Sequence, residues 1–150
     1  MENDKIERSI ELKASLSRVW KALTDYREFG EWFRVKLEAP FEVGKPARGH
    51  ITYPGYEHYK WEGVVQKMET EKLFSFTWHP YAVDLKKDYS KESPTLVEFR
   101  LKRIEMGTRL TVTESGFSKI PAERRDEAFR MNGGGWTEQM KNIEAHVSQK

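Results

Sequence analysis

Phe129, Gly133, Trp136, Met140, Ile143 and Val147 follow one another at alternating steps of four and three. That spacing places all six on one face of an α-helix, whereas a strand, with period two, could not bury them together. One long helix therefore closes the sequence. Its middle nevertheless reads RMNGGGWTEQM, and each interior glycine costs a helix about 1 kcal/mol relative to alanine. Two readings of Gly133, Gly134 and Gly135 stand side by side. The string kinks or breaks the helix, or Gly133 removes a side chain from the inward stripe and leaves volume beside Phe129 and Trp136 for a ligand. A phosphate-binding loop is excluded, because the string lacks a following lysine and a preceding strand.

What precedes the helix reads mostly as strands. Lys5 to Lys13 alternate, with Ile6, Ile10 and Leu12 on one face and Arg8 as a polar intruder among them. Ser15 is placed to cap a helix carrying Leu16, Val19, Trp20 and Leu23, and a second short helix is expected over Tyr26 to Glu31. From Val35 the pattern turns to strands: VKLEAPF, ARGHITY and EHYKWEGVV around a PGY turn, then KLFSFTWH with Phe74, Phe76 and Trp78 on one face. YAVDLKKDYSKESP reads as a long polar loop. TLVEFRLKRI and TRLTVTES form a hairpin about Met106 and Gly107, with Val97, Phe99 and Leu101 facing the side of Leu110 and Val112. Pro121 and Glu123 suit the start of the last helix. The order predicts an α+β domain over residues 1–150: a curved antiparallel sheet of about six to seven strands around a long C-terminal helix, with two short helices after the first strand.

Composition narrows the function. Lys and Arg number 26 against 24 Asp and Glu, for a formal net charge of +2, and the charges are spread along the chain. That argues against a nucleic-acid surface, where basic residues cluster. The absence of cysteine excludes disulfides, thiolate metal sites and cysteine nucleophiles. No apolar run is long enough to cross a bilayer and the first residues carry no signal-peptide core, so a cytoplasmic location is expected.

Five stretches in order, namely ASLSRVWKALTD followed by EFGEWF, then KLFSFTW, GTRLTVTESGF and a GW inside the last helix, resemble the family related to the activator of heat-shock-protein-90 ATPase. The resemblance runs from about Ile6 to Val147. It implies the helix-grip fold of the START/SRPBCC superfamily, also seen in the birch pollen allergen, in which the space between sheet and helix commonly holds apolar or amphipathic small molecules. Leu16 stands where the family usually has proline, an exchange the first helical turn tolerates. The chaperone activator itself has a further N-terminal domain, so chaperone activation does not follow from the resemblance.

Within that frame the candidate ligand-binding residues are Arg48, His50, Trp61, Phe76, Trp78, Phe99, Glu114, Phe129, Gly133, Trp136 and Met140. Glu114 continues the inward phase of Leu110 and Val112, and a buried carboxylate must be paired or protonated. It either reaches solvent or pairs with Arg8 or Arg48, or it serves as a polar anchor or general acid in the pocket. Arg48 and His50 share a face with Tyr59 and Trp61 if the PG turn is tight; a longer loop reverses this, since a one-residue slip flips every side chain. His79 and His146 read as peripheral. None of the four histidines has metal-ligand spacing with another, so neither metal nor cofactor is expected. The serines lack a nucleophile elbow. Binding of a small hydrophobic or amphipathic molecule without covalent chemistry leads. A cyclase or hydrolase of polyketide type, with Glu114 and His50 as its catalytic candidates, is the second class. A chaperone-activator-like partner-binding protein is the third, and a homodimer stays open.

Overall fold

The computed structural model describes residues 4–80 and 86–148. Among these residues seven strands and three α-helices follow in the order β1 (Lys5–Leu12), α1 (Leu16–Thr24), α2 (Tyr26–Phe33), β2 (Val35–Leu37), β3 (Pro46–Ile51), β4 (Lys60–Glu69), β5 (Leu73–Trp78), β6 (Thr95–Ile104), β7 (Gly107–Ser115) and α3 (Ala122–Val147). All pairings are antiparallel, in the order β1-β7-β6-β5-β4-β3-β2. Strands β1 and β2, consecutive in sequence, thus sit at opposite edges. The chain between them, α1 and α2, must cross the open end of the sheet. Of the expected long loop, residues 81–85 lie outside the described residues, and Lys86 to Pro94 are irregular.

Local chemistry fixes the helix ends. Ser15 caps α1 by accepting from the Arg18 N–H, and Asp25 caps α2 by accepting from the N–H groups of Arg27 and Glu28. Each satisfies donors that a helix start leaves without intrahelical partners. Helix α2 ends on Arg34, whose φ of 69° and ψ of 54° are left-handed. Gly30 lets α2 lie close on β2, because a Cβ there would collide with the Val35 carbonyl.

The inward rows of the sheet can be followed across its register. One runs Val65, Phe76, Val97, Glu114 and Ile6 from β4 to β1, and the next runs Phe74, Phe99, Val112 and Arg8 from β5 to β1. Helix α3 closes over them with Gly133, Trp136, Met140, Ile143 and Val147 buried, five of the six positions of the expected stripe, Phe129 being half-buried. The helix runs unbroken through the glycines, so they do not end it.

A second tie joins the three helices. The Glu28 carboxylate of α2 accepts from Arg18 Nη1 of α1 at 2.6 Å and lies 2.9 Å from His146 Nε2 of α3. His146 is therefore buried at a helix junction, not peripheral as its position in sequence suggests. Burial pushes the Glu28 carboxyl up, but hydrogen bonds from His146 and Arg18 outweigh it and hold the group below the usual glutamate value. A carboxyl depressed in the folded state binds fewer protons there than when unfolded. Its stabilisation is present above the unfolded value and is lost as pH falls through the folded one. Urea midpoints measured from neutrality downward should therefore fall below about pH 5, and Glu28→Gln should flatten that fall. An acid limb of the same slope in the variant would remove Glu28 as its source.

Candidate functional site

Glu114 is 0% exposed and stands in a row otherwise made of carbon. No arginine reaches it. Arg8 instead donates to the Gly133 carbonyl and to Thr137 Oγ1, and Arg48 pairs with Glu62 on the outer face. The carboxylate accepts four hydrogen bonds from neutral groups. Trp78 Nε1 at 2.7 Å and Thr95 Oγ1 at 2.5 Å serve Oε2; Asn132 Nδ2 at 2.9 Å and Trp136 Nε1 at 2.8 Å serve Oε1. The indole and amide partners can only donate through these atoms, so the set matches an acceptor-only carboxylate. Donors from β5, β6 and α3 converge on one group of β7.

Above this hub lies a cleft of about 80 Å³ lined by Phe33, Trp78, Asn132, Gly135, Trp136 and Gln139. Three of those six, Trp78, Asn132 and Trp136, are held by Glu114. The carboxylate does not line the cleft; it orients the side chains that do. Both indole N–H groups are turned toward Glu114, and the two ring systems lie 5.8 Å apart at 33°. Gln139 donates to the Phe33 carbonyl and ties α3 to the end of α2 at the rim.

Behind the cleft the space between sheet and helix is filled by aromatic rings. Phe33 meets Trp61, Trp78 and Trp136 at about 6 Å, and Phe76 and Phe99 pack against the same group. Trp61 Nε1 is buried there with no acceptor. Buried donors are nearly always paired, so this one stands out.

The sequence-derived candidates divide accordingly. Trp78 and Trp136 line the cleft; Trp61, Phe76, Phe99 and Met140 are buried behind or beside it. Phe129 is half-buried against Phe117. The volume opened by Gly133 is taken by protein, since a Cβ there would lie 3.2 Å from Arg8 Nη2. Arg48 and His50 are corrected: both are exposed and outward. The cause is register. Gly49 pairs Trp61 while Arg48 pairs Glu62 and His50 pairs Lys60, because the chain from Thr52 to Tyr59 forms a loop longer than the tight turn that would have turned them inward. Glu114 and His50 are thus on opposite faces of the sheet and cannot share a reaction centre. His79 is engaged as well, its Nε2 lying 3.0 Å from the Glu92 carbonyl.

Sequence reasoning missed Thr95, Asn132, Phe33 and Gln139. The first two are legible only once Glu114 is known to be buried and in need of donors. Among the described residues no cluster of His, Asp and Glu could hold a metal ion, and no helix is long and apolar enough to cross a membrane.

A curved antiparallel sheet gripping one long C-terminal helix, with a small cleft at one end of their interface, defines a helix-grip fold. More particularly, residues 13–148 match the family described as Activator of Hsp90 ATPase homolog 1-like protein, and the chain belongs to it. No curated protein matches the chain in sequence. Solved structures share the fold. A protein of Mesorhizobium loti superposes with a TM-score of 0.76 at 21% identity, covering 96% of each chain. A protein from Arthrobacter aurescens gives 0.76 at 21% identity, with 99% of this chain and 88% of that one covered. DynU16, from the dynemicin biosynthetic locus, gives 0.75 at 21% identity over 97% of this chain and 48% of its own.

Proposed function

We infer that the protein binds a small apolar or amphipathic molecule at the cleft between Trp78 and Trp136, without covalent chemistry. The observation that carries this reading is the use made of Glu114. A buried carboxyl must have its hydrogen bonds satisfied, and here that requirement holds two indoles and an amide at the wall of an opening. The cleft is far below the roughly 300–1,000 Å³ of ordinary ligand pockets. The bound molecule therefore seats a chain end or ring edge against the Trp78 and Trp136 wall of the opening, with the remainder outside. Asn132 and Gln139 offer polar contacts at the rim, and the unpaired Trp61 N–H lies behind Phe33 and Trp78 for an acceptor that penetrates further. The START/SRPBCC superfamily that the sequence resembles commonly holds apolar molecules between sheet and helix, which supports this reading.

Gly135 gives the direct test. It lines the cleft and a Cβ there meets nothing within 4 Å. Gly135→Leu should fill the opening while improving the helix by most of about 1 kcal/mol. Gly134, exposed and equally open, is the control, since it does not line the cleft. With neutral aminoanthracene as fluorescent probe, wild type and Gly134→Leu should show saturable binding. Gly135→Leu should lose it with no fall in melting temperature. Equal binding by all three would place the probe elsewhere.

A further inference from the structure

Helix α2 has two faces, and only one serves the cleft. Phe29, Trp32 and Phe33 point inward, whereas Tyr26, Arg27 and Glu31 line an open groove of about 540 Å³ between α2 and the edge strand β2. Arg34, Lys36 and Thr52 complete its polar lining. We propose that this groove is a second binding site, for a small molecule bearing two or more phosphate groups.

The charges support this first. Arg27, Arg34 and Lys36 are exposed, and among the described residues none of the three has a carboxylate within ion-pair distance. The one acid in the lining, Glu31, is turned toward His146, with Oε2 3.7 Å from Nδ1. Two guanidinium forks and an ammonium thus line one opening without a carboxylate partner, and guanidinium groups suit the paired oxygens of phosphate. The Arg27 guanidinium lies 5.3 Å from the Tyr26 ring centre, a cation–π contact that limits its wandering. The Thr52 hydroxyl adds a donor.

The backbone supports it independently. Arg34 holds the left-handed C-cap position that glycine usually takes, because a Cβ is strained there. Its N–H closes α2 on the Gly30 carbonyl at 3.0 Å, which glycine would do equally well. Keeping arginine at this position fixes a cation at the rim at a cost to the fold, the pattern expected where strain serves a site.

Arg34→Gly probes both at once, because it removes the charge and relieves the strain together: binding reads the first and melting temperature the second. The full chain would be titrated with inorganic pyrophosphate and followed by backbone amide shifts, with citrate in a parallel arm. The expected result is saturable shifts confined to residues 26–37 and Thr52, weakened by salt. Arg34→Gly and Lys36→Gln should each weaken pyrophosphate binding by about tenfold, the loss of one charge-assisted contact. The melting temperature of Arg34→Gly should hold or rise. Shifts that stay linear, shifts spread over every basic region, or wild-type affinity in both variants would overturn the site. Citrate binding as tightly as pyrophosphate would overturn its assignment to phosphate.

Discussion

Glu114→Ala is expected to be among the most destabilising single substitutions in this protein, costing about 4 kcal/mol or more. Truncation leaves a void and strips the acceptor from Trp78, Thr95, Asn132 and Trp136 at once. A buried donor without an acceptor costs about 1–3 kcal/mol, and water entering from the cleft recovers only part of that. Glu114→Gln keeps the volume, but its single oxygen accepts fewer bonds and its amide nitrogen faces two donors, least unfavourably Trp78 and Thr95. Rotation of the Thr95 hydroxyl relieves one conflict, so a smaller loss of about 1–3 kcal/mol is expected. Denaturant melts measure both, and near-ultraviolet circular dichroism should show the two indoles losing their fixed environment. A loss under about 1 kcal/mol for alanine would mean that the four donors have other partners, and Glu114 would no longer be the hub.

Trp136→Ala should cost about 3–5 kcal/mol, the range for a buried aromatic. The ring touches Phe33, Trp78 and Phe99 at centroid distances of 6.1, 5.8 and 5.7 Å, so its removal unpacks β5, β6 and α2 from α3 together. Trp136→Phe isolates the N–H: it keeps most of the ring and should lose only about 1–2 kcal/mol. Residues in one network are coupled, so combining Trp136→Phe with Glu114→Gln should cost less than the sum of the two. Strict additivity in melts of the double variant would show that the hydrogen bond at 2.8 Å contributes nothing to stability.

How far the sequence reaches can be judged at particular residues. The strands were legible because each alternates, and α3 because its stripe keeps helical period over five steps. Glu114 was legible as inward, since phase along a strand is a local property. Its partners were not. They come from β5, β6 and α3, and nothing local to Thr95 or Asn132 says which carboxylate they will meet. The faces of Arg48 and His50 turned on a loop length, and a one-residue difference there inverts a strand. Gly133 was rightly placed on the buried stripe, but the purpose of its missing side chain was not local either. Arg8, the polar intruder noticed in β1, is what fills the space, reaching the Gly133 carbonyl at 3.3 Å. Two anomalies far apart in sequence explain one another only in the fold. His146 carries the same lesson, since its partner Glu28 lies on α2.

Native mass spectrometry of the protein purified from its own host addresses most directly whether the indole-walled cleft holds a small molecule. Wild-type and Gly134→Leu proteins should carry a discrete added mass that is released on denaturation, and Gly135→Leu purified in parallel should not. Bare chain mass in all three, or the same added mass retained by Gly135→Leu, would contradict binding at the cleft.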